Sequence, residues 1–225
     1  MTGGKVIVIV GPTASGKTRL AVDLAKKYDG EVISADSVSV YKSLDVGSAK
    51  PTEEEKRGVE HYMIDVADVA DDFSVSDYER LALPILQDIL SRGKTCVVCG
   101  GTGLYADSLL LGRSFAPCPS TGMRETLEAE ARQSGIEPLL ARLKEVDPEA
   151  GARLHPSDKR RIIRALEVYL ETGETISEHN RKTKLLPPKH EAVWIGLSFE
   201  NRQDLYDRID LRVERMLQDG LLDEI

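Results

Sequence analysis

Val6-Ile7-Val8-Ile9-Val10-Gly11-Pro12-Thr13-Ala14-Ser15-Gly16-Lys17-Thr18 decides the fold. The first five residues are apolar and β-branched and read as a buried strand. The next eight have the G-x-x-x-x-G-K-[ST] spacing of a P-loop. From Lys17 to about Tyr28 the apolar residues recur at helical spacing, with Leu20, Ala21, Leu24 and Ala25 on one face. Strand, glycine loop and helix in that order make a cradle for a di- or triphosphate. Gly11 and Gly16 let the backbone approach an anion closely. The helix N-terminus offers partial positive charge, Lys17 adds a full one, and the Thr18 hydroxyl suits Mg²⁺. An ordinary glycine-rich βα turn is the competing reading.

Outward from this stretch the strand–helix alternation continues. Glu31–Ala35 reads as a second strand, Ser74 to about Arg92 as an amphipathic helix with Pro84 as a candidate kink, and Thr95–Cys99 as a third strand. The pattern then changes. Residues 117–122 form a linker-like break. Met123 to about Ser134, Glu137 to about Glu145 and Ser157 to about Thr172 read as helices with no strand between them. Ala192–Leu197 returns to strand, and Asn201 to about Asp219 is a final helix. The expected class is α/β: a P-loop NTPase-like parallel sheet core, residues 1–114 and 191–225, interrupted by an all-helical insertion at 115–190. Gly220 to Ile225 is apolar enough to read as a helix that continues.

The chain has 225 residues, 41% apolar and 30% charged, which are globular values. No apolar run approaches the roughly 20 residues of a membrane span, and the N-terminus lacks the features of a signal peptide. The net charge of −8 argues against nucleic acid, but it is unevenly spread. Residues 51–90 carry eleven Asp/Glu against three Lys/Arg, while residues 151–190 carry nine Lys/Arg against five Asp/Glu. The basic end can dock a phosphate backbone, or the two can simply be solvated faces. Cys96 and Cys99 have C-x-x-C spacing, but they lie in an apolar strand and no second Cys/His pair completes a metal site. With Cys118 the count is odd. A reduced, cytoplasmic protein is expected.

In an open α/β sheet, ligands bind beyond the carboxyl ends of the strands. The loops Gly11–Thr18, Asp36–Tyr41 and Gly100–Tyr105 are therefore expected to meet in one crevice. Asp36 brings a carboxylate that can accept a proton or hold a metal, beside the Ser37 hydroxyl. Thr102 brings a hydroxyl on a glycine-rich backbone. Both are also common turn and cap residues. Lys159-Arg160-Arg161-Ile162-Ile163-Arg164 places Arg160, Arg161 and Arg164 near one another on a helix, with Ile162 and Ile163 able to face inward. Arg suits bidentate phosphate contact, although a solvated face is the default reading.

The sequence resembles the tRNA dimethylallyltransferases. The resemblance rests on Gly11–Thr18, Ser34-Ala35-Asp36-Ser37 with Val40-Tyr41, and Leu44-Asp45-Val46-Gly47-Ser48-Ala49-Lys50-Pro51. Gly58-Val59-Glu60-His61 with Asp65, Gly100-Gly101-Thr102-Gly103-Leu104-Tyr105 and Arg160–Tyr169 follow in the same order. It covers essentially the whole chain, and it also implies a further C-terminal part beyond residue 225.

The resemblance implies transfer of a dimethylallyl group from dimethylallyl diphosphate to N6 of the adenosine 3′ to the anticodon, in tRNAs reading codons that begin with U. It implies that Gly11, Pro12, Thr13, Ala14, Ser15, Gly16, Lys17 and Thr18 hold the donor diphosphate, with Mg²⁺ on Thr18. Asp36, Thr102 and Lys17 are implied to be catalytic. Asp36, Ser37, Val38, Ser39, Thr102, Arg124, Arg160, Arg161, Ile162, Ile163 and Arg164 are implied to meet the tRNA anticodon stem-loop. A cytoplasmic monomer with no membrane contact is expected. The chain departs from the family in having Ser39 where Gln, which contacts the adenine, is usual. It also has Ser48 for Thr, Tyr62 where a second His is common, and Arg160 where Gln is frequent. On the motifs alone a small-molecule P-loop kinase is the second reading. The Gly-Gly-Thr-Gly-Leu-Tyr block and the helical insertion count against it. A free-adenylate prenyltransferase would not need the basic insertion, and a non-catalytic relative would not need Lys17, Thr18, Asp36 and Thr102 together.

Overall fold

The computed structural model describes residues 5–112 and 121–224. The chain divides into two compact units, one of residues 1–112 and 188–225 and one of residues 113–187. In the first, β1 (Val6–Val10), α1 (Lys17–Lys27), β2 (Gly30–Ser34), α2 (Glu53–Lys56), β3 (His61–Tyr62), α3 (Val75–Ser91), β4 (Thr95–Gly100) and α4 (Gly103–Leu110) follow in order. The second unit holds α5 (Met123–Ser134), α6 (Glu137–Val146), α7 (Pro148–Arg153), α8 (Lys159–Thr172) and α9 (Ile176–Lys184). The chain then returns to the first unit with β5 (Ala192–Gly196), α10 (Arg202–Gln218) and α11 (Leu221–Glu224).

The five strands form one sheet in the order β3-β2-β4-β1-β5, every pairing parallel. This is the expected α/β class. Parallel sheets are covered on both faces, which is why β1 and β4 read as unbroken apolar runs rather than as alternation. On one face Ile9, Val32 and Val97 pack with Ala21 and Ala25 of α1. On the other, Val8, Ile33 and Val98 pack with Tyr78, Ala82, Leu86 and Ile89, the inner stripe of α3. A reciprocal Ser74–Asp77 capping box starts α3, and the helix runs through Pro84 as one element. Cys96 and Cys99 are free thiols buried in β4, and burial pushes both up to about 12. Cys118 lies outside the described residues.

The strand order sets the crevice. The chain leaves β1 towards β2 on one side and reaches β5 on the other, so the carboxyl ends of β1 and β4 flank a topological switch point. At the opposite end of the sheet, Glu31 is buried yet paired. Its oxygens accept from both terminal nitrogens of Arg92 at 2.6 Å, from Lys94 at 2.7 Å and from Tyr62 at 2.9 Å. The Arg92 bonds, first among these, hold its carboxyl down at about 2. That network locks the amino end of β2 to the end of α3.

In the second unit Leu127, Leu139, Leu143, Ile162 and Leu166 form the core. Asp147, itself buried, caps α7 through Ala150 N and accepts the amide of Ser177 at the start of α9, both at 3.0 Å. Among the described residues no helix of either unit is long and apolar enough to cross a membrane.

Candidate active site

A cavity of about 960 Å³ opens at the carboxyl ends of β1, β2 and β4. Thr13 to Thr18 form one side, and Asp36, Gly100 and Gly101 the neighbouring wall. Gly16 caps α1 with φ of +86°, a left-handed conformation that glycine adopts without cost. The Ser15 hydroxyl is buried and has no hydrogen-bond partner among the described residues. A buried, unpaired hydroxyl is costly unless a ligand completes it. Lys17 Nζ donates to the carbonyls of Gly11 at 3.0 Å and Pro12 at 2.7 Å. Burial lowers its affinity for a proton; Arg212 acts in the same direction and Asp36 against it. A diphosphate would reverse that balance.

The second and third loops are stitched together. Ala35 N donates to Cys99 O at 2.8 Å, and Thr102 N donates to Ala35 O at 3.0 Å. A Cβ on Gly100 would lie 2.0 Å from Ala35 O, so only glycine permits this approach. Thr102, at the N-cap position of α4, accepts from Ser37 N at 3.0 Å and donates to Ser37 Oγ at 3.2 Å. Its hydroxyl is therefore engaged in fixing the Asp36 loop. Asp36 Oδ1 accepts from the amides of Val38 at 2.9 Å and Ser39 at 3.3 Å. One Asp36 oxygen organises the turn, and among the described residues the other takes no hydrogen bond. Val38 is exposed, and Ser39 is buried although it lines the cavity.

The far wall comes from α10, which the sequence reading did not single out. Arg208 Nε donates to Ala14 O at 2.7 Å, Arg212 donates to Thr13 Oγ1 at 2.9 Å, and Arg215 lines the same cavity. The i, i+4 and i+3 spacing of these arginines was the available signal. Lys50 stood out only as part of a motif. It lines the cavity too, with its ammonium on Asp45 Oδ1 at 2.6 Å, Asp65 Oδ1 at 2.5 Å and Tyr41 O at 2.8 Å.

Among the described residues no group of three or more His, Cys, Asp or Glu is placed to hold a metal. Mg²⁺ binds through one or two protein oxygens together with substrate phosphates. The Thr18 hydroxyl and the Asp36 carboxylate in one cavity fit that donor set.

The basic candidates lie on the helical unit. Arg160 and Arg161 are exposed, and Arg161 pairs with Asp158 at 3.1 Å. Arg124 and Arg164 converge on the buried Glu167, at 2.8 Å and 2.9 Å. Ile162 and Ile163 are buried in the core of this unit, so their side chains serve packing rather than contact with a ligand. Lys159, Arg160 and Arg161 occupy the first turn of α8, which has no acidic residue. Cations there oppose the helix dipole, which Asp158 at the N-cap position offsets in part through its pair with Arg161.

A family model described as IPP transferase matches residues 39–225. The tRNA dimethylallyltransferase of a Thermoanaerobacter species is 48% identical over 223 residues, spanning 98% of this chain and 71% of that protein. The full-length tRNA isopentenylpyrophosphate transferase of Bacillus halodurans superposes with a TM-score of 0.65. It is 41% identical over 98% of this chain and 68% of its own. A eukaryotic dimethylallyltransferase whose structures were solved acting on tRNA gives a TM-score of 0.82 at 30% identity, over 99% of this chain and 55% of that one.

Proposed function

Because this chain belongs to the IPP transferase family, we propose that it transfers a dimethylallyl group from dimethylallyl diphosphate to N6 of the adenosine 3′ to the anticodon. The tRNAs are those reading codons that begin with U. The observation that carries the chemistry is that one cavity holds both the P-loop, with its unpaired Ser15 hydroxyl, and a carboxylate fixed by two amides. The exocyclic amine of adenine is a weak nucleophile, because its lone pair is delocalised into the ring. The bond from the allylic carbon to the diphosphate oxygen breaks as the N6–carbon bond forms. Asp36 takes the proton the amine releases. Lys17, Arg208, Arg212 and the α1 N-terminus meet the charge that grows on the departing diphosphate. Mg²⁺, held by Thr18 and the diphosphate oxygens, would add charge neutralisation there. Thr102 positions Asp36 through Ser37.

The target base must leave its stack to reach the cavity, and an anticodon loop makes this inexpensive. Lys159, Arg160 and Arg161 support a role for the helical insertion, set at 115–190, in gripping the anticodon stem. Their crowding at a helix N-terminus suits a phosphate ligand. Arg124 and Arg164 would act there partly through Glu167. The protein is taken to act as a monomer in the cytoplasm, whose reducing conditions suit the free thiols of β4.

Incubation with tRNA, dimethylallyl diphosphate and Mg²⁺, followed by mass spectrometry of the nucleosides, is expected to show N6-isopentenyladenosine. Unmodified tRNA together with transfer of the γ-phosphate of ATP to a small acceptor would reject the proposal. Alanine at Arg160 and Arg161 should weaken tRNA binding and reduce the slope of log affinity against log salt by roughly one for each phosphate no longer neutralised. An unchanged slope would remove both residues from the interface.

A further inference from the structure

Glu224 ends the short helix α11, and its carboxylate is held by three consecutive amides. Oε2 accepts from the amides of Asp45 and Val46, both at 2.6 Å, and Oε1 accepts from Gly47 at 2.8 Å. Converging backbone amides of this kind form a concave anion site. These bonds, Gly47's foremost, hold the Glu224 carboxyl below the ordinary glutamate range. The two segments so joined lie about 180 residues apart in sequence.

What they join matters. Residues Asp45, Val46 and Ser48 to Thr52 form one wall of the donor cavity; Leu211, Arg212, Arg215 and Met216 of α10 form another. The first wall is braced from below by Lys50 on Asp45, Asp65 and Tyr41. The second is held differently, since no side chain of α10 is fully buried. Leu205, Ile209 and Met216 of this helix are half-buried. The polar attachments of α10 to the P-loop are the bonds from Arg208 and Arg212, the two side chains a diphosphate would engage. A tether that does not depend on those arginines would keep the helix in place when they turn to a ligand. Gly220, at φ of +96°, turns the chain so that α11 delivers Glu224 to the opposite wall.

We propose that Glu224 is a positioning residue, a clasp that ties α10 to the 45–47 loop and so keeps Arg208 and Arg212 over the P-loop while the diphosphate is bound. This rests on the reading of the cavity as the diphosphate site. The test uses the whole protein with Glu224→Ala and the milder Glu224→Gln, which keeps the side-chain length but sets an amide group against the backbone amides. Hydrogen exchange at Asp45, Val46 and Gly47 should quicken at least tenfold in Glu224→Ala, and the affinity for inorganic pyrophosphate should fall roughly tenfold, the scale of one misplaced charge-assisted hydrogen bond. Glu224→Gln should move both in the same direction by less, which keeps the test decisive if the alanine variant folds poorly.

The effect on pyrophosphate should vanish in an Arg208→Ala, Arg212→Ala background, because Glu224 acts through those side chains. Quicker exchange with unchanged pyrophosphate affinity, or an equal loss of affinity in that background, would overturn the proposal. So would tighter pyrophosphate binding on removal of Glu224, which would make the amides a ligand site that the carboxylate blocks. Absence of pyrophosphate binding by the unaltered protein would instead refute the reading of the cavity, and the clasp's role with it.

Discussion

Asp36→Asn lowers the single-turnover rate of prenyl transfer by about two to four orders of magnitude, the usual contribution of a positioned general base. Affinity for tRNA stays within about twofold, since no charge that favours phosphate is removed. Asparagine is the informative replacement. Asp36 Oδ1 accepts the amides of Val38 and Ser39, and the amide oxygen of Asn keeps both bonds. The turn therefore survives while the basic oxygen is lost. Asp36→Ala removes both, so a larger defect in alanine than in asparagine measures the cost of the loosened loop. Rapid-quench kinetics with saturating enzyme, run beside filter binding of the same tRNA, separates the two effects. A near-normal rate in Asp36→Asn with weakened tRNA binding would assign the residue to recognition and leave the proton without an acceptor.

The core was legible because its signals are local and redundant. β1 and β4 are unbroken apolar runs, and each is followed by glycines where the backbone must come close to something, as Gly100 does to Ala35 O. The missed elements had weaker or contrary signals. Helix α4 begins at Gly103, the end of the glycine-rich stretch Gly100-Gly101-Thr102-Gly103 read as a flexible loop; Thr102 in its N-cap position and the packing of Tyr105 and Leu109 override that composition. Helix α9 carried a usable signature, Thr175-Ile176-Ser177-Glu178, whose capping box is formed. Helix α7 had Asp147 followed by Pro148 at its first position. Strand β3 has two residues, too few for a periodic pattern.

The site was legible where one segment supplies it and obscure where distant segments converge. Gly11–Thr18 carries the P-loop spacing within one segment, so its candidate ligand class could be read from it directly. Arg208 and Arg212 carry no such signal, because on α10 they look like any solvated i, i+4 pair. Only the sheet order, which sets β5 beside β1, places the helix after β5 against the P-loop. Ile162 and Ile163 show the converse. The resemblance carries them with a basic motif, yet the helical period buries them.

Lys17→Met should separate catalysis from stability by moving them in opposite directions. Methionine keeps much of the side chain's length and apolar bulk while deleting the charge. In the free protein that charge is a burden: burial disfavours it, Arg212 adds repulsion, and its proton affinity is lowered. A lysine whose pKa is depressed by folding weakens the native state below that depressed pKa, and the penalty fades as pH rises through it towards the unfolded value. At neutral pH, then, Lys17→Met leaves the thermal midpoint of the free protein unchanged or raises it. With donor present the sign inverts. The departing diphosphate gains negative charge beside positioned cations, so loss of one costs about two to three orders of magnitude in kcat. Stabilisation by pyrophosphate in a thermal melt, large in the unaltered protein, should shrink in the variant by the missing binding energy. A Lys17→Met protein that melts lower without ligand and keeps its kcat would show the ammonium to be a structural brace on Gly11 and Pro12 rather than the group that meets the leaving diphosphate.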